Sequence, residues 1–173
     1  METHTAEPVK IRSFREEDLP ACRVLYTEGL VAGKIAENDT GLDIDDIQWA
    51  YMNSPGNHFW VAEDHNGEIV GMIGVQHHDE GAGEIRRLRV SQHHRRRGIG
   101  SALVETALKF CQEKGYLKIT LDTFVDRDAA IKLFEKFRFK HSRSRTIGDK
   151  ELMYFYLDLY TTTDQKPKAP DRQ

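Results

Sequence analysis

The chain has 173 residues, 39% hydrophobic and 31% charged, with a formal net charge of −3. That is room for one domain with its own core, and it argues against a partner that is mainly a polyanion. The two cysteines, Cys22 and Cys111, stand far apart in apolar helical patterns. They build neither a disulfide framework nor a zinc site, so a cytoplasmic protein without a metal is expected. No stretch approaches the roughly 20 apolar residues of a membrane-spanning helix, and residues 1–7 lack the apolar run of a secretory signal.

In chain order, residues 9–14 alternate imperfectly between apolar and polar and predict a first strand. Asp18 is placed to cap a helix carrying Leu19, Cys22, Leu25, Tyr26 and Leu30 at helical spacing. A polar, glycine-punctuated stretch over 29–41 leads to a second helix at 43–52, stopped by Asn53-Ser54-Pro55-Gly56. Strands follow at 58–63 and 68–75, joined through a hairpin signal at Asn66-Gly67, and then at 84–90. The clearest helix covers 98–114, with Ile99, Leu103, Val104, Ala107, Leu108 and Cys111 on one face and Gly115 as its C-terminal cap. A strand at 118–124, a helix at 128–137 and strands at 139–146 and 152–159 complete an order of β-α-α-β-β-β-α-β-α-β-β. This is an α/β fold of α+β character, one mixed-sheet domain over 1–160. Residues 161–173 carry no large apolar side chain and read as a disordered tail.

The segment richest in chemistry runs from Glu84 to Leu103. A strand ends at Val90, a basic loop follows, and Gly98-Ile99-Gly100 opens the long helix. The first turn of a helix has unpaired N–H groups and the positive end of the dipole, glycines let an anion approach the backbone, and Arg95, Arg96 and Arg97 add charge. The pattern suits a phosphate. A P-loop would need a lysine after Gly100, where Ser101 stands. The dinucleotide fingerprint would need a small residue in place of Leu103.

Arg95-x-x-Gly98-x-Gly100 after Leu88-x-Val90 resembles the acetyl-CoA signature of the GNAT superfamily of N-acetyltransferases, and the element order over residues 9–159 is similar to that family's. The resemblance implies a splayed central sheet and acetyl-CoA as cosubstrate. Its pyrophosphate would lie on the backbone of Arg96, Arg97, Gly98, Ile99, Gly100 and Ser101 beside Arg95. Its pantetheine arm would run along the strand at Leu88, Arg89 and Val90. The family's second motif, Asn-x-x-Ala-x-x-x-Tyr with Gly-Phe after it, is altered: Arg127, Phe134 and Arg138 occupy the asparagine, tyrosine and glycine positions.

Amine acylation needs a neutral nucleophile, and an amine with a pKa near ~10.4 is mostly protonated at pH 7. A partly desolvated carboxylate near the thioester can take the proton. Glu84 is the candidate base, at the spacing from Gly98 that a histone-acetylating branch of the superfamily shows; the alternative is an ordinary strand-end glutamate. Asp122, His77 and His78 are next in line, and Glu63 is less attractive. Phe134 cannot protonate a leaving thiolate, so water, Tyr154 or Tyr156 is left for that role. A backbone N–H near Leu88 or Val90 could polarise the thioester carbonyl.

The expected activity is acetyl transfer from acetyl-CoA to a primary amine of a small molecule or peptide, by direct attack in a ternary complex, in a monomer or homodimer. Alternatives are a CoA-binding sensor or inactive relative, and a nucleic-acid module using the arginine loop. The latter is disfavoured because the loop has neither interleaved aromatics nor a recognition helix. Arg86 and Arg87 read as a solvated or substrate-facing strand end. The acids Glu37, Asp39, Asp43, Asp45 and Asp46 point either to a cationic acceptor or to capping and solubility.

Overall fold

A computed structural model describes residues 8–28, 39–79, 81–124 and 127–159. The tail predicted at 161–173, Leu30, Glu37 and most of the polar stretch after the first helix lie outside these residues. Alternating side chains in the central strands are buried on both faces of one sheet. Phe59, Val61 and Met72 point to one cluster with Phe14, Cys22, Leu25, Ile44, Ile47 and Tyr51. Trp60, Ala62, Ile73 and Val75 point to the other, with Ile99, Leu103, Val104, Ala107, Cys111 and Phe134. Period-two alternation on strands enclosed by helices on both sides requires such a three-layer arrangement.

The strands are β1 (Lys10–Ser13), β2 (His58–Glu63), β3 (Ile69–His77), β4 (Ala82–Val90), β5 (Lys118–Phe124), β6 (Lys140–Ile147) and β7 (Lys150–Asp158). They lie in the order β1-β2-β3-β4-β5-β7-β6. Only β4 and β5 are parallel; every other neighbouring pair is antiparallel. One face carries α1 (Leu19–Glu28) and α2 (Leu42–Asp45), the other α3 (Ile99–Glu113) and α4 (Asp128–Lys136). The element order is the expected one. The α3 face is as read, with Ile99, Leu103, Val104, Ala107 and Cys111 buried, and Gly115 ends the helix at φ +76.

Two local expectations are corrected. The second helix is not continuous over 43–52. It breaks at Asp46 (φ −144, ψ 78) into α2 and a π-helical turn, Gln48–Met52. The Asp46 carboxylate accepts the Trp49 N–H at 3.0 Å, a local side-chain bond that competes with the helical ladder. Asp18 does not begin α1 as a cap; it closes the 3-10 turn Glu16–Asp18 by accepting the Arg15 N–H at 2.8 Å. It is buried and also holds Arg12, whose Nε donates to Glu63 at 2.6 Å, so Glu63 serves this pair.

Candidate active site

The site is built around a fork in the sheet. The parallel ladder between β4 and β5 covers Ala82 to Glu84 against Lys118 to Thr120; among the described residues, β4 has no pairing to β5 beyond Glu84. On its other side, β4 stays paired to β3 but carries a bulge. Arg86 is opposite Gly74 and Arg89 opposite Met72, so Arg87 and Leu88 share Ile73. Arg87 takes the extra turn at φ +58. Residues 85–90 of β4 therefore present a strand edge without a ladder partner on the β5 side.

That edge runs into the first turn of α3. Gly98 adopts φ +79 and serves as the N-terminal residue before Ile99, with no side-chain cap. Helical bonding starts with the Ala102 N–H to the Gly98 carbonyl at 3.1 Å, so the amides of Ile99, Gly100 and Ser101 are left to other partners. The two glycines do different work. A Cβ on Gly98 would meet nothing within 4 Å, and its left-handed backbone is the constraint. A Cβ on Gly100 would lie 3.1 Å from Leu133 of α4 and 3.8 Å from Val90, so this glycine admits neighbouring side chains rather than only an anion.

Leu88 and Val90 pack toward the α3 cluster. Arg95, Arg96 and Arg97 are exposed, Arg96 in the left-handed region at φ +65. Arg95 reaches back to the Val90 carbonyl at 3.4 Å. Arg97 lines a shallow pocket with Val9, Asp64 and His94 beside the β2–β3 turn. Lys136, which the sequence did not single out, adds a cation: its Nζ donates to Ser101 Oγ at 3.3 Å. It reaches the helix start from the last turn of α4, a proximity that no local motif encodes. Arg89 departs from the expected set. Its register partner Met72 belongs to the α1 cluster, so its side chain lies on the face away from α3.

Glu84 is the last rung before the fork. It pairs across the sheet with Gln76 and Thr120 and shares their face with Asp122, on the side of α1 and α2. Burial raises its pKa above the usual carboxylate range, against the pull of Arg86 and with help from Asp122. His78 Nδ1 lies 3.3 Å and Arg86 Nε 3.9 Å from its oxygens. Asp122 touches solvent, yet the surrounding protein also pushes its carboxyl up. The structure therefore brings together two basic carboxylates, one at the fork and one two residues along β5. His77 faces Tyr116, ring centroids 5.9 Å apart.

Tyr154 and Tyr156 are register partners of Asp122 and Thr120 and share that face. Each ring is covered by a cation: the Arg143 Cζ at 4.3 Å over Tyr154 and the Lys118 Nζ at 5.1 Å over Tyr156. Phe134 is buried edge-on against Phe139, centroids 5.6 Å apart.

Arg87 is not a solvated strand end. Its side chain is only 7% exposed and bonds both Asp39 and Asp43, with Nη2 at 2.8 Å from Asp39 and Nε at 2.9 Å from Asp43. Its Cζ lies 5.0 Å over the Tyr26 ring, and the Tyr51 hydroxyl donates to Asp43. Burial pushes Asp39 up, but the Arg87 hydrogen bonds and charge hold it at about 2. Two carboxylates against one guanidinium leave one negative charge in excess. More than forty residues separate the partners, so no sequence pattern links them.

The pattern of the Acetyltransferase (GNAT) family matches residues 16–139, and the chain belongs to that family. The human protein N-acetyltransferase 8 is 37% identical over 103 residues, which cover 57% of this chain and 45% of that protein. The N-acetylaspartate synthetase of Xenopus tropicalis is 38% identical over 100 residues, 57% of this chain and 36% of that protein. The matched part is therefore less than half the length of either relative. A GNAT-family acetyltransferase from Staphylococcus aureus Mu50 shares the fold, with a TM-score of 0.76 at 20% identity, covering 88% of this chain and 99% of that one. Among the described residues, no helix is long and apolar enough to cross a membrane.

Proposed function

We propose that this chain transfers the acetyl group of acetyl-CoA to a primary amine by direct attack in a ternary complex. The observation that carries the reading is the fork: a strand edge without a partner, residues 85–90, leads to the open first turn of α3. A pantetheine arm has the amides and carbonyls to pair with such an edge. A pyrophosphate suits the amides of Ile99, Gly100 and Ser101, with Arg95, Arg96 and Lys136 supplying charge.

Glu84 sits where the edge becomes free, and burial raises its affinity for a proton. The amine loses its proton to Glu84 through water and its nitrogen bonds the acyl carbon. The carbon–sulfur bond then breaks and the thiolate leaves. A backbone N–H at Leu88 or Val90 stabilises the oxyanion. Phe134 offers no proton, so water or the phenol of Tyr154 or Tyr156 protonates the thiolate.

The test is direct. Acetyl-CoA should raise the melting temperature, since a ligand at 100 times its Kd adds about 2.7 kcal/mol to the folded state. A panel of primary amines should then release free thiol. Absence of both effects refutes the proposal; a shift without thiol release favours a CoA-binding sensor.

A further inference from the structure

Among the described residues, Arg12, Arg87 and Arg89 lie in the sheet with little access to solvent, and the first two have bonded counter-ions. Arg12 is held by Asp18 and Glu63, and Arg87 by Asp39 and Asp43. Arg89 is different. Its Nε is buried with no hydrogen-bond partner, and its Nη1 donates to its own neighbour's carbonyl, Leu88, at 2.9 Å. The carboxylate that acts on it, Asp39, is already engaged by Arg87. Burial, reinforced by the positive charges of Arg127 and Arg87, lowers its pKa to about 10. A buried guanidinium short of an acceptor is costly unless a ligand supplies one.

Its position says which ligand. Arg89 follows Leu88 on the free stretch of β4, about 3.8 Å along the chain from the edge assigned to the thioester. Its side chain is on the face of Glu84 and Asp122, opposite α3, so the donor's pyrophosphate at the helix start lies on the other side of the sheet. We infer that Arg89 binds a carboxylate on the acceptor, making the preferred acceptor an amine that also carries a carboxylate, as a free amino acid does. This deepens the transfer reading above and rests on it. The planar guanidinium fork matches a carboxylate, and one molecule then presents its amine to the base and its acid group to Arg89.

The experiment compares α-amino acids with their own carboxamides as acceptors, with acetyl-CoA as donor and thiol release as the signal, for the wild type and Arg89→Gln. Wild type should favour the acid over the amide by about 10- to 100-fold in kcat/KM, chiefly through KM, because a site built for a charged hydrogen bond rejects the analogue lacking it. Arg89→Gln should bring that ratio close to one, and Arg89→Lys should restore part of it. Equal use of acid and amide by wild type overturns the proposal, as does a preference that survives in Arg89→Gln. A matching rise in KM for acetyl-CoA overturns it too, because the anion would then be the donor's. If Arg89→Gln fails to fold, the wild-type ratio still decides. If no acceptor in either series is acetylated, thermal shifts of the CoA-saturated protein with the same compounds separate the two readings. A shift from the acids alone upholds the carboxylate site and refutes transfer, whereas no shift from any compound refutes the site.

Discussion

Replacing Arg87 with methionine keeps most of its length and removes the guanidinium bonded to both Asp39 and Asp43. Both acids are largely buried, with side chains 21% and 10% exposed, and each bonds the guanidinium. Bringing Asp39 from 3.8 down to about 2 corresponds to roughly 2 kcal/mol, and Asp43 is lowered in the same direction. Breaking a buried pair by removing one partner typically costs about 3–5 kcal/mol, so the two routes agree in scale. For a domain of this size the expected loss is about 8–15 °C in Tm. The sign with pH follows from the pKa directions. In wild type the folded pKa values lie below the unfolded one, so the network's stabilisation is present above about pH 4 and fades as pH falls toward 2. In Arg87→Met the guanidinium's hydrogen bonds and charge are lost while burial remains, so both acids rise and that variant loses less stability on acidification than wild type. Thermal melts of both proteins from pH 3 to 8 should show a gap that is wide at neutral pH and narrows in acid. Adding Asp39→Asn and Asp43→Asn should recover much of the loss. A gap under about 2 °C at pH 7, or one constant across pH, would refute the reasoning.

Glu84→Gln should cut turnover about 10²- to 10⁴-fold at pH 7 and flatten the acid limb of the pH–rate profile, which in wild type rises as Glu84 ionises at its elevated pKa. CoA affinity should hold; wild-type turnover across pH would move the base to Asp122. Gly74→Ala should destabilise by about 1–3 kcal/mol in denaturant titration, because the new Cβ would lie 2.7 Å from the Tyr51 ring and 2.9 Å from Phe59. Arg138→Gly should stabilise by roughly 0.5–1 kcal/mol, since Arg138 is exposed and holds φ +69 where glycine is unstrained. A lower Tm in that variant would show that the arginine side chain makes up for its backbone.

The fold was legible wherever local rules decide. The apolar run Phe59-Trp60-Val61-Ala62 within 58–63, the face of α3 and Gly115 at its end are local signals, and each agrees with the structure to within two residues. Gly98 marks the helix start in the sequence, and the spacing from it singles out Glu84, the last paired residue before the fork. What the sequence hid is long-range. Arg87 looked like a surface arginine because nothing near it in the chain reveals Asp39 and Asp43. Arg89 looked equivalent to its neighbours, and only the bulge and the Met72 register assign its face. The break at Asp46 was local but ambiguous, since an aspartate can sit within a helix or cap the next turn.

The short β4–β5 ladder has a mechanical consequence. β1 to β4 form one plate and β5 to β7 another, joined by a seam from Ala82 to Glu84 and by the side chains packed beneath α3 and α4. A seam so short is a natural boundary between cooperative units. Amide exchange should find the second plate opening at lower free energy than the first while the fork is empty. A donor lying in the fork touches both plates, so its binding would fuse them into one unfolding unit and slow exchange in β5 and β7, strands that border the fork or lie beyond it. A donor bound as proposed would complete the sheet between the two plates.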